Sequence, residues 1–102
     1  MGELAISAVT EGELRYGVAR RPSTTLQSLV ETLLLGLTVY PWDSQAAERY
    51  GELRADLERK GQLLGSLDMM IAAHALSLGL TLVSSDTAFQ RIKHLRVQDW
   101  TK

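Results

Sequence analysis

Apolar and polar positions along the chain follow helical spacing in some segments and form short apolar runs in others. Helical spacing predicts amphipathic helices over residues 24–37, from about 45 to 60, and over 67–78. A further helix is expected to begin at Thr10, because "TEGE" matches a capping box in which Thr10 and Glu13 bond each other's backbone. The apolar runs between them predict strands at residues 4–7, 38–42 and 81–84, with a last strand within 95–100.

Strands that alternate with helices indicate an α/β fold with a mainly parallel sheet covered on both faces. We expect one domain over residues 1–102. In such a sheet the end of a strand, the start of the next helix and the start of the preceding helix share one edge, where ligands bind. Glu13 opens the helix after the first strand, Asp68 opens the helix before the third strand, and Asp86 follows that third strand. The sequence therefore predicts that these three carboxylates lie on one edge.

Composition and charge exclude several classes of protein. The chain is 45% apolar and 23% charged, as is usual for globular proteins, and its net charge of −1 gives no general attraction to nucleic acid or membrane. It has no cysteine, which excludes disulfides and thiolate metal sites and fits a reducing cytosol. The longest apolar-rich stretch is interrupted by Glu31, Gly36 and Pro41, so no membrane span is expected. We therefore expect a cytoplasmic protein without a membrane partner.

Each candidate carboxylate also has a purely structural explanation. Glu13 would complete the capping box, Asp68 would follow a cap at Ser66 and favour the positive end of the helix dipole, and Asp86 would cap the next helix. Asp43 lies at the same predicted edge and is expected to be only a cap. The alternative is a metal site, because grouped carboxylate oxygens hold magnesium or manganese. Asp68 and Asp86 favour it, since they enclose a helix–strand unit with no other acidic or basic residue apart from one histidine.

Three segments, "ISAVTEGELRYGV", "GSLDMMIAAHA" and "LRVQDW", resemble PIN domains, and among them the VapC-type toxins of bacterial toxin–antitoxin pairs. The resemblance runs from about Leu4 to Trp100. It implies a three-layer PIN-like fold and an endoribonuclease that hydrolyses RNA with carboxylate-bound magnesium or manganese. It also implies a VapB-like antitoxin as partner and a homodimer or higher oligomer.

The same resemblance implies roles for individual residues. Glu13 matches the glutamate of the family's "T-x-x-E-L-x-x-G" motif, Asp68 opens its "D-x-x-I-A-x-H-A" helix, and Asp86 closes the turn after the following strand. These three would be the catalytic, metal-binding residues, with Asp68 and Asp86 as direct ligands. Ser84 and Thr10 would support the ligands.

The sequence departs from the family pattern at its start. Family members usually begin with a strand that ends in an aspartate, well before the motif with Glu13, and this sequence begins at the family's second strand. We therefore expect the first strand and its aspartate to be missing; that strand would lie between residues 4–7 and 81–84. The alternative function is then a weak or inactive PIN domain that binds an antitoxin or another subunit. A receiver-like domain is disfavoured, because no lysine occurs between Lys60 and Lys93.

Other candidate side chains have ordinary structural explanations. We expect His74 to be packed inside the protein, His94 to be solvated, and Trp42 and Trp100 to pack rather than stack on bases. Basic residues that could contact RNA phosphates are each expected, taken singly, to lie on a solvated face. They are Arg20, Arg21, Arg54, Arg59, Lys60, Arg91, Lys93 and Arg96.

Overall fold

The computed structural model describes residues 5–99; Leu4 and Trp100, assigned above to the first and last strands, lie outside them. The helices are α1 Ala8–Arg20, α2 Thr24–Leu35, α3 Ser44–Arg59 and α4 Ser66–Leu78, followed by a 3₁₀ helix Thr87–Arg91. The strands are β1 Ala5–Ser7, β2 Thr38–Tyr40, β3 Leu82–Val83 and β4 Val97–Gln98. The predicted α/β class is confirmed.

Both strand pairings are parallel, as predicted. β1 pairs with β2, with Ile6 opposite Val39, and β3 pairs with β4, with Leu82 opposite Val97. The sequence predicted a mainly parallel sheet without its first strand, and the strands of residues 5–99 form two separate two-stranded sheets. The sequence predicted that a further strand, which would lie between β1 and β3, is missing. Within residues 5–99, no strand pairs with both β1 and β3.

The chain divides into two compact units at Trp42 and Asp43. The described part of the first unit, residues 5–42, contains β1, α1, α2 and β2. Helix α1 contacts α2 but has no buried residue of its own, and Val30 is the buried residue of α2. The first unit therefore has little interior.

The start of α1 differs from the prediction. Ser7 is the N-cap, and its hydroxyl accepts a hydrogen bond from the Val9 N–H at 3.0 Å. Thr10 consequently lies inside the helix, and Glu13 lies beyond the first turn, so the predicted capping box is wrong. Ser7 and Thr10 lie three positions apart, and each has a hydroxyl group that could cap a helix. The extended backbone of Ser7 at the end of β1 selects the earlier one.

The second unit, described over residues 43–99, is built around α3 and α4, which pack against each other. Asp43 caps α3, as predicted, by accepting a hydrogen bond from the Ala46 N–H at 2.9 Å. The apolar stripe of α3 packs against α4 and the 3₁₀ helix, and together they form a continuous core. Its buried members are Leu53, Leu57, Met69, Ala72, Ala73, Phe89 and Ile92.

Helix α3 ends in a Schellman motif that reverses the chain. Gly61 has φ of 65°, in the left-handed region, and its N–H donates to the Glu58 carbonyl at 3.1 Å. The Gln62 N–H donates to the Leu57 carbonyl at 2.8 Å. This turn fixes the start of the loop that leads to Gly65, the N-cap of α4.

Candidate functional site

Asp68 lies in the first turn of α4, where the sequence predicted it. The expected cap at Ser66 is wrong, because Ser66 is the first helical residue and Gly65 is the N-cap, with no side-chain cap hydrogen bond. The half-buried Asp68 side chain lies in the first turn of α4, near the positive end of the helix dipole. It forms none of the hydrogen bonds or ion pairs identified within residues 5–99. Its oxygens are therefore available to a ligand.

Asp86 caps the 3₁₀ helix, and Ser84 supports it. The Ser84 N–H donates to the Gln98 carbonyl at 3.0 Å, which ties this residue to the β3–β4 pair. The Ser84 hydroxyl accepts from the Asp86 N–H at 3.1 Å, and Asp86 Oδ1 accepts from the Ala88 N–H at 2.9 Å. Because the cap uses Oδ1, the second oxygen of this exposed carboxylate remains for another partner.

Glu13 belongs to the first unit and lies on α1 with an exposed side chain. Thr10 precedes it by three residues, so the two side chains are neighbours along the same face of the helix. Thr10 is half-buried and Glu13 is exposed, which leaves the carboxylate open to solvent and to ligands.

Ion pairs in the described part of the chain use other carboxylates. Arg15 pairs with Glu11 at 2.9 Å and with Glu31 at 3.5 Å, and the hydrogen bond and charge of Glu11 raise the pKa of Arg15 above its ordinary value. Asp56 pairs with Lys60 at 2.9 Å, and this hydrogen bond lowers the pKa of Asp56. The carboxylates of the candidate site thus remain unpaired by cations within residues 5–99.

The donor chemistry of Glu13, Asp68 and Asp86 fits a hard divalent cation, because carboxylate oxygens are the ligands that magnesium and manganese prefer. Within residues 5–99, no three histidine or acidic side chains come together in an arrangement able to hold a metal ion. The convergence of the three carboxylates on one cation therefore stays a prediction.

Two arginines that the sequence grouped with possible phosphate contacts bind the backbone instead. Arg91 Nη1 donates to the Leu63 carbonyl at 3.2 Å, and Arg96 Nη2 donates to the Gly79 carbonyl. These carbonyls flank α4 on either side. No sequence pattern signals a contact between an arginine and a carbonyl 28 residues earlier, so the sequence did not predict this contact.

The two histidines lie where the sequence predicted. His74 is 1% exposed within α4, as expected for a packed histidine, and His94 is exposed. The backbone of His94 has φ of 67°, which shows that a tight turn separates the 3₁₀ helix from β4. Neither histidine joins the candidate carboxylates as a recognised metal-binding group among residues 5–99.

None of the helices described over residues 5–99 combines the length and the apolar composition needed to cross a bilayer.

Comparison with known proteins places the chain in a family. The PIN domain profile matches residues 1–95. The chain is 39% identical over 103 aligned residues to the tRNA(fMet)-specific endonuclease VapC of Shigella flexneri, an alignment that covers 98% of this chain and 77% of that protein.

Solved structures give the same result. VapBC2 from Rickettsia felis, bound to a DNA fragment from its promoter, matches with a TM-score of 0.91 and 35% identity over 96% of this chain and 75% of that chain. DNA-bound VapBC from Salmonella typhimurium matches with a TM-score of 0.87 and 40% identity over 94% of this chain and 74% of that chain. The chain therefore belongs to the PIN domain family and, within it, to the VapC-type ribonucleases that its sequence motifs resemble.

Proposed function

We propose that this protein is a metal-dependent endoribonuclease and the toxin of a toxin–antitoxin pair, with Asp68, Asp86 and Glu13 as its catalytic residues. The observation that carries the proposal is the similarity to a tRNA(fMet)-specific endonuclease over 98% of the chain. It is supported by the positions of Asp68, at the start of α4, and Asp86, after β3, both unpaired by cations in the described residues.

The proposed reaction is hydrolysis of an RNA phosphodiester bond. A bound magnesium or manganese ion would lower the pKa of a water molecule and neutralise charge on the phosphate. Asp68 and Asp86 would hold the ion, and Ser84 would keep Asp86 in place through the Asp86 N–H. Glu13 would bind the ion directly or through water and orient the attacking water.

We further propose a VapB-like antitoxin as partner, self-association, and action in the cytoplasm. Matches to two VapBC complexes support the antitoxin. Exposed apolar side chains on α2, namely Leu29, Leu33 and Leu35, support a protein partner, because such surface is typical of interaction sites. Sedimentation of the isolated chain at micromolar concentration tests self-association. A chain that is still monomeric at a 100-fold higher concentration would contradict self-association.

The function is tested by thermal melting and RNA cleavage of the parent, Glu13→Gln, Asp68→Asn and Asp86→Asn. A cluster of carboxylates repels itself without metal, so Asp68→Asn and Asp86→Asn should raise the melting temperature in chelator. They should also shrink the stabilisation by manganese, which equals RT ln(1 + [L]/Kd). Cleavage of the initiator tRNA, the substrate named for the Shigella relative, should fall in all three variants.

Asp43→Asn is the matched control, since the Asp43 carboxylate, like that of Asp86, accepts a backbone N–H as a helix N-cap but stands outside the proposed site. Asparagine caps as well as aspartate, so this variant should melt and respond to manganese like the parent. Equal manganese responses in all variants would overturn the metal site. A parent that neither binds manganese nor cuts RNA would instead be an antitoxin- or subunit-binding module.

A further inference from the structure

We infer that Arg91 is a positioning residue for this site: its guanidinium holds the element that carries Asp86 against the loop that leads to Asp68. The inference rests on the proposed function and assigns a role to a side chain outside the carboxylates. It begins from the hydrogen bond between Arg91 Nη1 and the Leu63 carbonyl, at 3.2 Å.

The loop before α4 needs this support. Each of the other helices in residues 5–99 has an N-cap side chain that accepts a backbone N–H; these caps are Ser7, Ser23, Asp43 and Asp86. Gly65, the N-cap of α4, has no side chain to do so. Leu63 precedes it by two residues, so the contact with Arg91 holds the chain immediately before the turn that carries Asp68.

Arg91 is itself well anchored. It is the last residue of the 3₁₀ helix that Asp86 caps, and the neighbouring Phe89 and Ile92 are buried in the core of the second unit. A planar guanidinium loses less conformational freedom per hydrogen bond than a flexible ammonium. The contact therefore couples two parts of the same unit. One is the loop that leads into α4, whose first turn carries Asp68, and the other is the 3₁₀ helix that Asp86 caps.

A cation held by two carboxylates from different elements depends on the spacing of those elements. Functional side chains must be held within about 0.5 Å of the productive geometry, and groups that hydrogen-bond metal ligands directly typically contribute 10–100-fold to metal affinity. Arg91 acts less directly, through the Leu63 carbonyl, so its effect is expected at the lower end of that range. Without Arg91 the Leu63 carbonyl would be solvated, and the loop would fluctuate between the Schellman turn at Gly61 and the start of α4. Because metal binding would then have to order the loop, the affinity for the metal ion would fall.

Arg96 provides a matched control. It has the same chemistry and exposure as Arg91, and its guanidinium also donates to a backbone carbonyl, that of Gly79, at the other end of α4. Gly79 follows the C-terminus of the helix, whereas Asp68 lies in its first turn. A substitution of Arg96 therefore removes an equivalent contact without affecting the approach to Asp68.

The experiment compares the parent with Arg91→Gln, Arg91→Lys and Arg96→Gln. Calorimetric titration without RNA gives the manganese Kd, and hydrogen exchange reports opening of residues 63–69. We expect Arg91→Gln to raise the Kd about 10-fold and to speed exchange in that segment. We expect Arg96→Gln to keep the parent Kd within about twofold. Arg91→Lys, which keeps a charged donor group on a long side chain but lacks the planar fork of the guanidinium, should fall between the parent and Arg91→Gln. RNA cleavage by Arg91→Gln should recover as manganese is raised.

Three results would overturn the inference. The first is an unchanged manganese Kd in Arg91→Gln, which would also be the result if Arg91 acted only by contacting RNA. The second is an equal loss of affinity in Arg91→Gln and Arg96→Gln, which would indicate general destabilisation. The third is a parent that binds no manganese, which would overturn the proposed function as well and is thereby distinguished from the other two.

Discussion

The two units of the chain differ in how their helices are supported. In the second unit α3, α4 and the 3₁₀ helix share a continuous core, with Leu57 only 1% exposed. In the first unit α1 buries no residue, and α2 leaves Leu29 64% and Leu35 88% exposed. Asp68 and Asp86 therefore stand on elements that share a buried core, whereas Glu13 stands on a helix that contacts its neighbours but has no buried residue.

We propose that this difference gives the two units separate tasks. Under the proposed function, Asp68 and Asp86 would take their support from the packed elements of the second unit and from the contacts of Ser84 and Arg91. The exposed apolar surface of α2 in the first unit would be available for recognition of a partner. Four pairs of substitutions, described from the largest expected effect to the smallest, would break or sharpen this comparison.

The largest difference in stability effect between the two units should come from truncation of an apolar side chain. Leu57→Ala should reduce the free energy of unfolding by about 2–5 kcal/mol, because it leaves a cavity between packed helices. Leu29→Ala, the same chemical change at an exposed position of α2, should alter it by no more than about 0.5 kcal/mol. Urea unfolding followed by circular dichroism measures both. Equal costs would show that Leu29 is covered in solution.

The turn after α3 should be sensitive to backbone strain. Gly61→Ala should cost about 1–2 kcal/mol, because φ of 65° is unfavourable for a residue with a Cβ atom. Gly51→Ala should instead stabilise the protein by about 0.8–1 kcal/mol, since Gly51 lies inside α3 with open space where the added methyl group would stand. Urea midpoints at constant m-value give both changes. A stabilising Gly61→Ala would mean that the turn is not rigid.

The start of α1 gives a test within the first unit. Ser7→Ala should cost about 0.5–2 kcal/mol through loss of the cap to the Val9 N–H. Thr10→Ala should cost less, because Thr10 lies inside the helix, where alanine has the higher helix propensity. Thermal melting in chelator compares the two. A larger loss for Thr10→Ala would restore the capping box that the sequence predicted.

The smallest expected effect concerns acid stability of the second unit. The hydrogen bond from Lys60 lowers the folded-state pKa of Asp56 below the ordinary 3.8, with further contributions from the charges of Arg59 and Lys93. Its stabilising contribution is therefore fully present above pH 3.8 and is lost as the pH falls through the folded-state value. The stability difference between the parent and Asp56→Asn should shrink on acidification.

The matching control for Asp56→Asn is the same substitution in a Lys60→Met background. Most of the pH dependence should disappear there, because the principal partner is absent. High salt should weaken it in the parent, since the pair is exposed. A difference that grows on acidification would show that the pair destabilises the fold.

Periodicity predicted the fold well where a pattern extends over many residues. The helices expected from about 45 to 60 and over 67–78 are observed at Ser44–Arg59 and Ser66–Leu78, because the apolar stripe of α3 packs against the largely apolar α4. The predicted start of a helix was wrong where two nearby residues could each serve as its N-cap. Ser7 and Thr10 both offer a hydroxyl, and the end of β1 decides between them.

The candidate site was predictable to a lesser extent. Spacing placed Asp68 in a first turn and Asp86 after a strand, and both positions are observed, since each depends only on its own element. The contact between Arg91 and Leu63 depends on the packing of Phe89 and Ile92 against α4, which no local pattern encodes. Convergence of Glu13 with Asp68 and Asp86 likewise depends on tertiary packing, and it stays a prediction.

The Schellman turn after α3 also has a consequence for the kinetics of folding. It brings α3 and α4 together across the few residues between Arg59 and Ser66, so closing this hairpin costs little chain entropy. Pairing of β1 with β2 must instead bring Ala5 to Thr38. The connection between α1 and α2 is also short, but α1 buries no residue, whereas α3 and α4 share a core. Because contacts that are both local and well packed form early, we expect the α3–α4 hairpin to be structured in the folding transition state. Folding of this protein would then begin in the part of the chain that the ribosome synthesises after the first unit.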